Sequence, residues 1–346
     1  MSAQEGLRAQ TMINRIVRFL QRENLHRLFL ALVILVVLGT IGIALFEPDI
    51  KWKDAVWYSF VTITTVGYGD FSPQTLAGRT VGVIIMVFGI GLLGLFTATI
   101  ASIFVEKKLK EERGMTAFDY ENHIIVCEWN DRARDIVREL RLDRRIESTP
   151  IVLIADIETK PVDAEQFYFI QGTVTEENLQ RANLKSANTV VILGDDGVET
   201  NARDAKAVLT TLTVESINSS AYTIVELSSE SNVQYCERAH ADEIIVGSEF
   251  STKLISRAAI DHGISKVLSE LLSSRRGNDL VKVALPAGLA GKTFIDVFTE
   301  MKCSDHSIVL AVQKGNQGTV ISNPAVDLVL DASDHLILIK NRELPG

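Results

Sequence analysis

Two long apolar runs dominate the first third of the chain. Residues 28–46 are 19 uncharged positions and residues 80–105 are 26. At 1.5 Å rise per residue the second run makes a helix of about 39 Å, longer than the roughly 30 Å hydrocarbon core of a bilayer. Both runs are expected to span a membrane. A cleaved signal peptide is the alternative for the first, but that run is long, starts deep in the chain and lacks an obvious small-residue cleavage site. Beyond residue 115 the pattern changes. Short apolar stretches at 123–127, 151–154, 167–170, 189–193, 222–225 and 243–246 alternate with helical stretches such as 132–142. Buried strands alternating with helices predict a parallel sheet covered on both faces, a Rossmann-like, doubly wound domain over 116–248.

Charge orients the spans. Arg8, Arg15, Arg18, Arg22 and Arg27 precede the first, and Lys107, Lys108, Lys110 and Arg113 follow the second. The loop between them is acidic on balance, so the positive-inside bias puts both termini in the cytoplasm. Over residues 12–20, Ile13, Ile16, Val17 and Leu20 share one helical face with the arginines largely opposite, which predicts an interfacial helix within 1–27. Of 35 Lys/Arg and 44 Asp/Glu, residues 1–113 hold 12 and 9, which leaves 23 and 35 for the remainder. An acidic soluble part argues against nucleic acid as a partner. Cys127, Cys236 and Cys303 are too few and too scattered for a disulfide framework or a zinc cluster.

Between the spans stands VTITTVGYGDFSP, residues 61–73, rich in hydroxyls and carrying two glycines around a tyrosine. Non-helical backbone at membrane depth survives only inside protein or along water. Residues 52–64 are suited to a short re-entrant helix, after which the chain returns as Thr65-Val66-Gly67-Tyr68-Gly69-Asp70. A row of carbonyls aimed at one axis needs backbone of alternating hand, which glycine adopts without a Cβ penalty. TTVGYGD between two spans resembles the selectivity filter of potassium channels, and the mechanism it implies is theirs as a class. Within a filter of Thr65, Val66, Gly67, Tyr68 and Gly69, the carbonyls of the first four, with the Thr65 hydroxyl, are then expected to bind K⁺. Asp70 braces the filter from behind against Trp57. Some relatives carry a glutamate where this pore helix has Val61, which affects filter stability and inactivation rather than selectivity. A chance Gly-Tyr-Gly turn is the bland alternative. One loop cannot enclose an axis, so the resemblance implies a homotetramer.

The second span contains Gly89, Gly91 and Gly94. By spacing after the filter, Gly89 matches the family's hinge glycine, with Gly91 a neighbouring candidate; close helix packing is the other use of small residues in membranes. Gly94, Thr97 and Ala98 are expected to line the inner vestibule. Neither span holds a charged residue, so there is no voltage-sensing ladder. Something else must move the gate.

The six strand-like runs, the loop Gln171-Gly172-Thr173 and the segment Ala239-His240-Ala241-Asp242 resemble the regulator of potassium conductance (RCK) domain. The expected organisation is therefore an all-α transmembrane pore (28–105, with pore helix and filter at 52–70), a linker (106–115) and the RCK N-terminal subdomain (116–248). A crossover helix at 251–273, within a dimerisation segment at 249–278, and a small α+β subdomain (279–346) complete it. The resemblance implies a gating ring that pulls on the inner helices, in the cell membrane of a prokaryote. RCK rings commonly hold eight domains and four chains supply four. Met115 as an internal start, a longer tandem chain, or a ring of four are the readings that remain.

Family ligands are NAD or adenine nucleotides and divalent cations such as Ca²⁺. The dinucleotide fingerprint needs glycines at the first strand–helix turn. Here Glu128-Trp129-Asn130-Asp131-Arg132-Ala133 has none of them. Asn130 tolerates a left-handed conformation, Ala133 permits close packing, and Glu128 repels phosphate unless a cation intervenes. Asp156, ending the second strand, suits a ribose hydroxyl; a solvated strand-end acid is its plain reading. Trp129, Asn130, Asp131, Asp156, Thr173 and Asp195 are the nucleotide candidates. Asp195, Asp196, Glu226 and Glu230 are the divalent-cation candidates, against a reading as solvated surface acids. His240, His262 and His306 show no ligand spacing. Two other functions fit parts of the chain: a membrane-anchored NAD-dependent oxidoreductase and a non-conducting nucleotide sensor. Neither accounts for TVGYGD, and no acid–base pair stands at the crevice, so an enzyme is not expected.

Overall fold

The computed structural model describes residues 25–273, 277–315 and 318–341. The expected interfacial helix therefore lies, but for residues 25–27, outside the described residues. The chain divides into two compact units, the first ending at Lys110 and the second beginning at Glu111.

The first unit is helical: α1 (Leu25–Phe46), the short α2 (Trp52–Ile63) and α3 (Leu76–Glu112). Ile43, Ala55, Tyr58, Ile63 and Ile85 form its core, where α2 packs between the long helices. Helices α1 and α3 are long and apolar enough to cross a membrane, yet only 17% of each apolar window is buried. A soluble protein buries such a helix; here the bare apolar surface requires lipid or further copies of the chain. Helix α3 is 37 residues long and continues seven residues beyond the expected end of the second span. The expected linker at 106–115 is thus helical through Glu112. Residues 106–112 are all good helix formers, and Lys110 pairs with Glu106 one turn away.

The second unit opens with a six-stranded parallel sheet in the order β3-β2-β1-β4-β5-β6. The strands are β1 (Ile124–Cys127), β2 (Ile151–Ala155), β3 (Phe167–Gln171), β4 (Thr189–Ile192), β5 (Tyr222–Leu227) and β6 (Glu243–Val246). Every residue of β1 and β2 is buried, as central strands covered on both faces must be. Helices α4 (Asp131–Leu142), α5 (Glu176–Arg181), α6 (Thr200–Ile217) and α7 (Val233–Arg238) supply the cover. The strand order reverses between β1 and β4, and the crevice beyond their C-terminal ends is where doubly wound folds bind ligands.

The expected single crossover helix at 251–273 is two helices, α8 (Gly247–Ile260) and α9 (Ile264–Leu271). The break falls at Gly263, whose φ of +102° lies outside helical backbone. Neither helix buries any residue within its own chain. The last subdomain starts at Asn278, one residue before the expected boundary. Its antiparallel sheet runs β7 (Asn278–Ala284), β10 (His335–Asn341), β8 (Ile308–Gln313) and β9 (Val320–Ser322) in spatial order. Helix α10 (Phe294–Ser304) covers it through Phe294, Val297 and Met301.

Candidate functional site

The loop after α2 has backbone of alternating hand. Thr65, Gly67 and Gly69 have φ of +60°, +58° and +73°, and Val66 and Tyr68 between them are not left-handed. A Cβ on Gly67 or Gly69 meets no atom of its own chain within 4 Å, so conformation and not space selects glycine there. Thr65 takes the same conformation with a branched side chain, a strained state that functional sites concentrate. The loop's amides hang on the end of α2: Thr65 N donates to Thr62 O (3.1 Å) and Val66 N to Val61 O (3.0 Å). Helix α2 therefore delivers its negative C-terminal end to the loop, which favours a cation there.

Trp57 supports the loop from the flank. Its Nε1 donates to Asp70 Oδ2 at 2.8 Å, and its ring stacks on Tyr68 with centroids 5.8 Å apart. Val61 is buried. In α3, Gly89 lies against α2: a Cβ there sits 3.2 Å from Ile63 Cα. Gly91 and Gly94 face no neighbour within their own chain.

At the sheet crevice stands a lattice of paired charges. Glu128 follows β1 with φ +73°, the left-handed conformation that the first fingerprint glycine ordinarily supplies. Its carboxylate is buried and meets Lys206 Nζ, from α6, at 2.7 Å; the same ammonium meets Asp195 at 2.8 Å. Alongside, Arg132 and Arg203 both reach Asp196 (2.7 and 2.8 Å) and Glu226 (2.7 and 3.2 Å). A Cβ on Gly194 would overlap the Arg203 guanidinium, so a larger residue there would push that side chain aside. Asn130 caps α4 by accepting from Ala133 N and ties it to β4 by donating to Gly194 O. Burial pushes the Glu128 carboxyl above its ordinary value despite Lys206, whereas the hydrogen bond from Lys206 holds Asp195 below its own. Burial works against the Lys206 ammonium, but its hydrogen bonds to Asp195 and Glu128 raise it on balance.

Three protein-family models cover most of the chain: "Ion channel" over residues 30–106, "Calcium-activated potassium channel slowpoke-like RCK domain" over 119–225, and "Castor and Pollux, part of voltage-gated ion channel" over 248–344. A protein named calcium-gated potassium channel TvoK, of Thermoplasma volcanium, is 29% identical over 342 residues, 95% of either chain. The putative potassium channel protein YugO of Bacillus subtilis is 29% identical over 82% of this chain and 86% of its own. Residues 30–106 are thus an ion-channel segment, and residues 119–225 are an RCK domain of the potassium-channel kind. The solved human SLO3 gating ring superposes with a TM-score of 0.55 at 19% identity, over 66% of this channel and half of that chain, a likeness of fold.

The channel's expected nucleotide residues share one edge of the sheet, but they do not all point to one ligand. Asn130 and Asp195 belong to the crevice lattice. Trp129 packs on Phe167, and Asp131 pairs with Arg134 on the exposed first turn of α4. Asp156 is exposed just beyond β2, and Thr173 follows β3 with its carbonyl held by Asn178 Nδ2 (2.9 Å). Of the metal candidates, Asp195, Asp196 and Glu226 face cations, and Glu230 stands on a separate turn beyond β5. Among the described residues no three His, Cys, Asp or Glu side chains form a metal-ligand group. Sequence reasoning missed Arg132, Arg203 and Lys206. The available signal was Arg203 and Lys206 three apart on the helix that follows Asp195 and Asp196.

Proposed function

We propose that this channel conducts K⁺ through a homotetrameric pore and is gated by a cytoplasmic ligand bound at the RCK crevice. The observation that carries the pore reading is the alternating hand of 65–69 hung from the end of α2. It leaves the carbonyls of Thr65, Val66, Gly67, Tyr68 and Gly69 to replace the hydration shell of a dehydrated cation. Val66 and Tyr68 are 53% and 68% exposed in the single chain, and such backbone at membrane depth must be enclosed by other copies. Four copies close the axis, with lipid around the outer faces of α1 and α3 and both termini on the cytoplasmic side of the cell membrane. Trp57 and Asp70 stiffen the filter, and Gly89 and Gly91 let α3 bend.

The RCK units pair through α8 and α9, whose Phe250, Ile255, Ile260 and Val267 are bare in the single chain. Moving a two-state gate from 1:99 to 99:1 takes about 5.5 kcal/mol, or about 1.4 kcal/mol at each of four sites. A tenfold affinity difference per site is enough. A nucleotide such as NAD or ADP suits the crevice at its ribose end, through Asp156. At its phosphate end Lys206, Arg203 and Arg132 are the cations to meet it, in exchange for the carboxylates that hold them now. A divalent cation such as Ca²⁺ has to displace those same three cations, so the nucleotide is the favoured ligand.

The test is single-channel recording in a planar bilayer under a KCl/NaCl gradient, with NAD, ADP and CaCl₂ added in turn to the cytoplasmic side. A reversal potential at the potassium value, with open probability shifted by nucleotide, is expected. Potassium selectivity with a response to CaCl₂ alone moves the crevice to the divalent reading. No selective current sinks the pore reading.

A further inference from the structure

The end of the pore-lining helix is bolted to the edge of the RCK sheet, next to the loop that follows β3. Gly114, two residues past the end of α3, is buried with φ +64°, and a Cβ there overlaps the Gln171 amide nitrogen. That amide, on the last residue of β3, donates to Gly114 O at 3.1 Å, and Lys160 N donates to Glu112 O at 2.8 Å. The segment after α3 is thus held by backbone groups that other residues cannot approach. It is not a free tether.

One side chain connects this clamp to the ligand edge. Arg181, the last residue of α5, donates through Nη2 to Gly114 O (2.7 Å) and Thr116 O (3.4 Å), and through Nη1 to Asn178 Oδ1 (2.8 Å). Asn178 Nδ2 in turn donates to Thr173 O at 2.9 Å. Between Thr173 and Gln171, the Gly172 amide donates to Ala155 O at the end of β2, the residue before Asp156. An unbroken hydrogen-bonded chain therefore runs from loop 171–173 through Asn178 and Arg181 to the carbonyls where the pore helix ends. A planar guanidinium spans both ends of it as a fork; a lysine ammonium does not.

We propose that Asn178 and Arg181 are positioning residues for gating: they tie loop 171–173 to Gly114 and Thr116, so that load on α3 enters the RCK domain at Gly114 rather than along the chain into β1. This rests on the reading of the chain as a ligand-gated channel. Loop and helix end move together because one arginine satisfies both, and the polar groups it holds are costly to leave unpaired.

Two insertions in the full-length channel separate the alternatives. Three glycines between Glu111 and Glu112 free the helix from the clamp, since both Glu112 O and Gly114 O then lie beyond the insertion. Three glycines between Thr116 and Ala117 leave the clamp intact and lengthen only the path to β1. The first insertion is expected to change open probability at least tenfold, and the second to leave it within twofold, with unitary conductance and reversal potential unchanged in both. Arg181→Lys and Asn178→Ala each shift open probability in the direction of the first insertion. The double variant exceeds neither single by much, as members of one chain of contacts do not add. An equal effect of the two insertions, or none from either, overturns the proposal. Loss of K⁺ current in the wild type sinks the channel reading instead. In that case hydrogen exchange decides: the Gln171 amide must exchange at least tenfold faster in Gly114→Ala than in wild type, and equal rates overturn the clamp.

Discussion

The carboxylate of Glu47 occupies the space where a side chain on Gly78 would stand. Its Oε1 accepts from both the amide and the hydroxyl of Thr75, each at 2.8 Å, and the Thr75 hydroxyl caps α3 by accepting from Gly78 N at 3.0 Å. The end of α1 thereby fixes the start of the second span. Alanine at a helical glycine ordinarily gains about 1 kcal/mol. At Gly78 overpacking reverses the sign and costs about 1–3 kcal/mol per chain. Gly78→Ala should lower the thermal dissociation temperature of the assembled channel. Glu47→Gln, which keeps the shape and loses the charge, should lower it less. A Gly78→Ala channel more stable than wild type contradicts the arrangement.

Gly67 and Gly69 are constrained by backbone hand. A Cβ in the left-handed region costs about 1–2 kcal/mol per residue. Gly67→Ala is expected to abolish K⁺-selective flux, read as thallium uptake into vesicles, while the RCK unit keeps its fold by circular dichroism. Full flux in this variant rules out the alternating-hand account.

Trp57 makes two separable contacts with the loop after α2, at Tyr68 and at Asp70. Trp57→Phe keeps a ring over Tyr68 and removes the hydrogen bond to Asp70, a loss of about 1 kcal/mol per chain. The expected result is faster decay of sustained current with the K⁺/Na⁺ reversal potential unchanged. A shifted reversal potential would assign Asp70 to selectivity rather than support.

Glu128 gives the crevice a pH dependence with a definite sign. Its carboxyl is raised in the folded chain, so the folded state binds the proton more tightly than the unfolded one. The stabilisation from that proton is complete below about pH 4.3, the ordinary glutamate value, and is lost as pH rises through the folded value. Glu128→Gln should therefore gain melting temperature relative to wild type as pH increases across that window, then hold a constant advantage. The same change leaves Lys206 with Asp195 as its remaining carboxylate partner, and titration calorimetry with ADP should give about tenfold tighter binding, ~1.4 kcal/mol. A stability difference that does not vary with pH refutes the raised carboxyl.

Pairing of the RCK units should fail before the pore does. Ile255 and Ile260 are 69% and 74% exposed on α8, a helix that buries nothing in its own chain. Ile255→Asp with Ile260→Asp puts charge into that face and should abolish ligand response while leaving K⁺-selective conduction. An unchanged ligand response removes α8 from the interface.

What the sequence determined by itself was whatever a local run of residues enforces. Two uncharged stretches long enough to span, and a glycine–tyrosine–glycine loop between them, specify pore helices and a left-handed, carbonyl-baring turn, because span length and backbone hand are properties of consecutive residues. The strand–helix alternation specified the parallel sheet for the same reason. Tertiary structure alone decided the crevice and the clamp. Glu128 and Lys206 lie on β1 and α6, and Arg181 meets Gly114 across 67 positions of sequence. Until the sheet brings those elements together, Lys206 and Arg181 read as ordinary cations on helices. Folding pairs the first with Glu128 and Asp195 and sets the second on the carbonyl of Gly114, because what a long charged side chain does depends on the groups placed within its reach.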